Sequence, residues 1–261
     1  MSLSKEEIKK ELVRIYKERT NIECSKMIVE EDEPEILDNK IYGNPYLPVG
    51  VDYPKDSKGE NMPLLLQVNL KDVNLKEMPN KGILEVFISQ DVDNLEYKVL
   101  CFDEGQEYQT EFPKFDLDFD NFFFEEPIKI RLEKSFTDMP LANYEARDII
   151  FDILKELTGE TFESLWDVED YLEEEYIGDV FVEDLDYTFG NIGGYGDFTQ
   201  YDPRDDDEDL QKYDKCLFKI DSSLDINRIS IIDSGIIFGF ISAEDLKNGN
   251  FENTYINFDF C

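Results

Sequence analysis

Lys81-Gly82-Ile83-Leu84-Glu85-Val86-Phe87-Ile88-Ser89 recurs near the end of the chain as Ser234-Gly235-Ile236-Ile237-Phe238-Gly239-Phe240-Ile241-Ser242. Gly, Ile, Phe, Ile and Ser coincide position for position. Both segments are short, apolar and rich in branched and aromatic residues, as buried strands are. Upstream, Leu65-Leu66-Gln67-Val68-Asn69 aligns with Leu217-Phe218-Lys219-Ile220-Asp221. Further upstream the Gly43–Pro48 loop aligns with Gly193–Gln200, and Asp52-Tyr53-Pro54 with Asp202-Pro203-Arg204. Glycine loop, Asp-Pro turn, apolar strand, glycine and second apolar strand follow in the same order twice. Order kept over tens of residues predicts duplication of one β-rich unit, not chance likeness of strands. Two copies are too few for a solenoid. The expected fold class is α+β: an internally duplicated, pseudo-twofold single body with helices packed outside.

Working outward, residues 36–135 and 183–261 are read as the first and second β-rich repeats. Leu64–Leu70 opens with an unbroken apolar run and is expected to be central and covered on both faces; Lys98–Phe102 is a third strand. Residues 1–35 are a helix and lead-in. Ser4 and Glu7 form a capping box, and Ile8, Leu12, Ile15 and Tyr16 share one face. Residues 136–182 are a helical insert. Ile150, Ile153, Leu154 and Leu157 make its first stripe, which stops at Gly159. Thr161 is expected to cap a second helix with Phe162, Leu165, Trp166 and Leu172 inward. Glu173, Glu174 and Glu175 then oppose the helix dipole, as a solvated end or a partner-facing feature.

The chain has 261 residues, 62 acidic and 26 basic, for a net charge of −36, and no histidine. It also has 20 Phe and 14 Tyr, which sets it apart from a disordered acidic tail. Without histidine no Ser–His or Cys–His nucleophile pair and no His-ligated metal can form. Phosphates and anionic membrane surfaces would be repelled over the whole surface. A basic protein is the favoured partner, with no nucleic acid and no membrane. The four cysteines, Cys24, Cys101, Cys216 and Cys261, are widely spaced. That predicts reduced thiols in a cytoplasmic protein, with no metal and no cofactor.

The chain resembles the YwqG-like bacterial family, a domain family of unknown function. The resemblance rests on Leu64–Leu70, Pro79–Leu84, Ile192-Gly193-Gly194-Tyr195-Gly196-Asp197-Phe198-Thr199-Gln200, Asp202-Pro203-Arg204, Asp233-Ser234-Gly235 and Glu244–Asn248. It covers the chain from about residue 36 to the end. Gly196 departs from it, since the family usually has proline there. The resemblance implies a cytoplasmic bacterial α+β protein and carries over no catalytic residues; some relatives are thought to act as immunity proteins beside toxins.

Three motifs invite chemistry and are read structurally. Asp116, Asp118 and Asp120 alternate with Phe115, Leu117 and Phe119, but Asn121 and Pro127 stand where a calcium loop needs Gly and Glu. Asp233-Ser234-Gly235 resembles an aspartic-protease loop, but the first repeat has Asn80-Lys81-Gly82, without the second Asp. Gly193–Gly196 is followed by Asp197 and Asp202, which would repel phosphate.

The expected binding residues are those that rigid loops display: Tyr46 and Tyr53 on the first glycine loop, and Tyr195, Phe198, Gln200 and Arg204 on the second. Asp205, Asp206, Asp207 and Asp209 form an acidic run. The leading expectation is a non-enzymatic acidic protein-binding module, of a kind that could neutralise a toxin. The alternative is a small-molecule binder or carboxylate-based enzyme in which the paired glycine loops bring Tyr46, Tyr195, Gln200 and Arg204 into one pocket.

Overall fold

A computed structural model describes residues 3–91, 94–115, 122–124, 126–181, 189–222, 229–231 and 235–259. The Asp116–Asp120 alternation and Asp233-Ser234 lie outside these residues. The architecture is α+β.

Twelve strands form among the described residues: β1 Ile22–Val29, β2 Lys40–Ile41, β3 Leu64–Asn69, β4 Ile83–Ile88, β5 Tyr97–Phe102, β6 Phe122–Phe124, β7 Ile128–Thr137, β8 Gly190–Gly193, β9 Lys215–Asp221, β10 Ile229–Ile231, β11 Ile236–Ile241 and β12 Tyr255–Asp259. Ten of them make one antiparallel sheet in the order β12-β11-β9-β8-β1-β7-β2-β3-β4-β5, and β10 with β6 make a separate ribbon. The sheet curls until its two edges nearly meet. Asn94–Glu96 beside β5 and Tyr255–Phe258 on β12 line the cleft between them. One hydrophobic core fills the interior, with Ile41, Val68, Val86, Ile192, Ile220 and Ile237 among its residues.

Strands β3, β4, β9 and β11 arise where the apolar runs predict them, and all six residues of β3, β4 and β11 are buried. The two halves of the sheet agree in detail. Outward from the central pair β1–β7, the first half runs β2-β3-β4-β5 and the second β8-β9-β11-β12. Gln67 pairs with Glu85 as Lys219 pairs with Phe238, and Asn69 pairs with Ile83 as Asp221 pairs with Ile236. Leu65 and Leu217 are the extra residues at register shifts in the same place.

The central pair is built from strands that mix charged and apolar residues and lie outside the apolar runs. β1 and β7 pair along their whole length, from Ile22↔Thr137 to Val29↔Ile130. β1 also pairs with β8, and β7 with β2, so these two strands join the halves.

Helices α1 Lys5–Thr20, α2 Ala146–Thr158 and α3 Leu165–Leu172 share a second core of Leu12, Tyr16, Ile150, Leu154, Val168 and Leu172. α1 carries the predicted Ser4–Glu7 capping box, and α2 ends at Gly159 in the left-handed conformation. Two expectations for α3 are corrected. Its cap is Ser164, in a capping box with Asp167, not Thr161. Trp166 points outward and is 78% exposed, because Leu165, Val168 and Leu172 already define the inward face and Trp166 lies off it. Two short helices, α4 Pro203–Asp206 and α5 Ala243–Asn248, complete the chain.

Candidate functional site

The second glycine loop is held at every step. Gly193 and Gly194 close β8 with φ of 69° and 74°, and a Cβ on Gly194 would come within 2.9 Å of the Cys24 Cβ. The chain therefore turns sharply off the sheet where a side chain has no room. Tyr195 is half-buried and its hydroxyl donates to the Thr20 carbonyl at 2.8 Å. Asp197 folds back beside Lys219, 3.8 Å away, and burial pushes its carboxyl up against that attraction. Phe198 is buried edge-on to Phe238, with ring centroids 5.0 Å apart. The amides of Thr199 and Gln200 both donate to Asp259 Oδ2, at 2.7 and 2.8 Å, and the Gln200 side chain is exposed.

Asp202 then caps α4, with Pro203 in its first turn. Arg204 is buried against Asp202. Its Nε donates to Oδ1 at 2.9 Å and its Nη2 to Oδ2 at 2.6 Å, the bidentate geometry that suits guanidinium and carboxylate. The guanidinium carbon also lies 4.0 Å from the Phe240 ring centroid and 4.9 Å from that of Tyr144. This anchor fixes the start of an exposed ledge: Asp205, Asp206, Asp207, Glu208 and Asp209 all face solvent.

The first loop does different work. Tyr46 is fully buried; its amide donates to Gln67 Oε1 at 2.7 Å and its hydroxyl accepts from the Gln106 amide at 2.9 Å. Tyr53 packs edge-on against Phe87. Beneath them, Lys40, Gln67 and Glu85 form a buried row across β2, β3 and β4. The Lys40 ammonium donates to the carbonyls of Glu35 and Ile36 at 2.8 and 3.0 Å, and burial lowers its pKa to about 8. Glu85 is 0% exposed and neither carboxyl oxygen has a hydrogen-bond partner among the described residues. Burial raises its pKa well above the usual carboxylate value; the Tyr46 amide and Lys40 oppose this only in part. Glu85 is the one polar residue in the apolar run Ile83–Ile88, all of which is buried.

The paired-loop pocket does not form. β2 and β8 run in opposite directions and attach to opposite sides of the central pair. Ile41 registers with Ile128 on β7, whereas Ile192 registers through Ser25 with Lys134. Six residues of strand, about 20 Å, lie between these points, and the two glycine turns leave at opposite ends. Tyr46 is thus held among Gln67 and Gln106, Tyr195 at the end of α1, and Arg204 under its own ledge. A cavity of about 310 Å³ does adjoin Gly193 and Gly194, with Leu75, Met78, Cys216 and Leu246 in its wall. The Lys215–Glu77 ion pair, 3.4 Å, stands at the same cavity. Burial holds the Cys24 thiol at about 11 and Cys216 at about 12, so neither is a nucleophile near neutral pH.

Charge is unevenly spread. Between Lys155 and Lys212 the sequence has twenty acidic residues and one basic residue, Arg204. That one base is buried and consumed by Asp202. Among the described residues no group of three or more Cys, Asp or Glu is placed to hold a metal, and no helix is long and apolar enough to cross a membrane.

A family described as a domain of unknown function (DUF1963) matches residues 39–261. No curated protein matches the chain.

Proposed function

This chain belongs to the DUF1963 family, and from that premise we propose that it is a non-enzymatic acidic module that binds a basic protein through the Asp205–Asp209 ledge. The observation that carries this reading is the stretch from Lys155 to Lys212, whose only base is buried. Lys9 and Arg19 of α1 pair with Glu174 and Glu156, but among the described residues no ion pair reaches the Asp205–Asp209 carboxylates, and the ledge is preorganised by the Arg204–Asp202 bridge, so little order has to be gained on binding. Charge of this kind speeds encounter and sets partner choice more than it adds affinity. A cytoplasmic protein whose own task is to hold phosphates, such as a nuclease toxin, has the complementary surface. The YwqG-like resemblance is consistent with that role.

Duplication belongs to the same reading. The shared strand order and the matching positions of Leu65 and Leu217 support descent of both halves from one unit, related by an approximate dyad between β1 and β7. On this view the halves have diverged in their loops: one covers Glu85, the other carries the ledge. A second reading, a small-molecule site, is favoured by the cavity at Gly193–Gly194; it is of a size that holds a small ligand.

The test is neutralisation of the ledge. With Asp205, Asp206, Asp207 and Asp209 changed to Asn, capture of basic proteins at low salt should fall, with the association rate down about tenfold and the dissociation rate little changed. Unaltered capture, or wild-type capture indifferent to salt, would contradict the proposal.

A further inference from the structure

Helix α3 already shows how it receives a basic helix. Lys5 of α1 stands 3.1 Å from the centroid of the Tyr171 ring. Lys9, one turn further along α1, pairs with Glu174. Two lysines spaced i, i+4 thus dock on an aromatic ring of α3 and on a carboxylate two residues past its end.

The neighbouring face of α3 offers the same chemistry and is open to solvent. Trp166 and Asp170 stand at i and i+4 on one side of the helix, and Glu173 is its C-cap, turned into the left-handed conformation just past Leu172. All three are exposed, Trp166 at 78%. Tryptophan is the strongest of the aromatic rings for a cation and is the residue most enriched at binding hot spots. The helix has no basic residue in its last turn, and its negative dipole end adds to Glu173 and Glu175. The basic side chain at this end comes from α1, where Lys9 pairs with Glu174.

We infer that the Trp166–Asp170 face of α3, with Glu173 at its C-cap, docks a basic helix of a partner protein, with one cationic side chain over the Trp166 ring and a second, one turn away, on Asp170. The inference rests on the proposed basic partner but assigns it a surface separate from the Asp205–Asp209 ledge. Charge selects the occupant: the phosphates of nucleic acid or lipid would be repelled, whereas lysine or arginine would be drawn in. Arginine is preferred, since its flat guanidinium both stacks on a ring and forks onto a carboxylate.

Trp166 is the only tryptophan, so its fluorescence reports this face alone. The probe is an alanine-based helical peptide with arginines at i, i+4 spacing, titrated into the full chain at low salt and followed by fluorescence and calorimetry. The control peptide has the same composition with arginines at i, i+2. The expected result is a saturable change in Trp166 emission, with affinity at least fivefold above the control. Trp166→Ala should weaken binding about tenfold by calorimetry, Trp166→Phe less, and Asp170→Asn with Glu173→Gln about tenfold. The ledge variant should keep most of the fluorescence response. Because these side chains are exposed, the variants should melt as the parent does. Calorimetric binding that leaves the emission unchanged, or a Trp166→Ala variant that binds like the parent, overturns the inference. If such binding is lost in the ledge variant, the proposed function stands and this surface does not. Absence of binding by either peptide overturns both.

Discussion

Replacing Arg204 with methionine is expected to lower the unfolding free energy by about 3–5 kcal/mol, the usual cost of removing one partner from a buried ion pair. Asp202 would lose its counter-charge and the hydrogen bonds from the Arg204 side chain in a site its own side chain cannot leave, since it is 0% exposed beside an Arg204 side chain that is 4% exposed. The rings of Phe240 and Tyr144 would lose the guanidinium between them. Changing Asp202 to Asn in the same protein should recover much of the loss, because a neutral amide at that position costs far less to bury. Urea denaturation of the two single variants and the double variant measures the coupling directly. If the single change costs under about 1 kcal/mol, a figure ordinary for an exposed pair, the ledge is not anchored as described. The ledge variant and the anchor variant also separate charge from order. Arg204→Met leaves every ledge carboxylate in place, so a loss of partner binding there would report the loss of preorganisation.

The second large effect is a gain. Glu85→Met is expected to raise stability near neutral pH by about 1–3 kcal/mol, the cost of a buried polar group left unpaired. In the β9–β11 pair an apolar Phe238 stands opposite Lys219 in the way that Glu85 stands opposite Gln67 in the β3–β4 pair, so on the proposed duplication an apolar side chain suits this register position. The sign of the pH dependence follows from linkage. The folded protein holds the Glu85 proton more tightly than the unfolded chain does. The contribution of Glu85 is therefore fully present below the ordinary glutamate value of 4.5 and is lost as pH rises through the raised value. The advantage of Glu85→Met over the parent should grow from pH 4.5 upward. Lys40 works in the other direction at higher pH: its folded value of about 8 lies below the ordinary 10.5, so its contribution to stability increases across that interval. Glu85→Met should leave that rise in place. Stability curves of parent and variant that stay parallel between pH 4.5 and 8 would show that Glu85 does not hold its proton.

What could be read from the residues follows from how each strand meets its surroundings. β3, β4, β9 and β11 are covered on both faces and announce themselves as apolar runs. β7 reads Ile128-Lys129-Ile130-Arg131-Leu132-Glu133, with one face polar, and β1 mixes Glu23, Ser25 and Lys26 with its apolar residues. They carry no long apolar run, so the junction between the halves was missed although its two wings were found. The capping box of α1 was legible because its signal is local. Aromatic character alone places Trp166 inward, whereas the inward face is already complete in Leu165, Val168 and Leu172. The acidic ledge was visible as composition. Its anchor was not, because the pairing of Arg204 with Asp202 and Phe240 depends on where the loop crosses the sheet. Glu85 left no trace, since burial of a strand's second face is a property of the loop laid over it.

Hydrogen exchange of the full chain, with and without the i, i+4 arginine helix at low salt, tests most directly whether binding belongs to the acid-rich stretch between Lys155 and Lys212. The account predicts added protection in α3 and the turn that follows it, Leu165–Val180, and in the ledge whenever a larger basic protein replaces the peptide. It also predicts unchanged exchange in β4 and β5. Protection centred on the first half of the sheet, or binding that protects neither α3 nor the ledge, would contradict it.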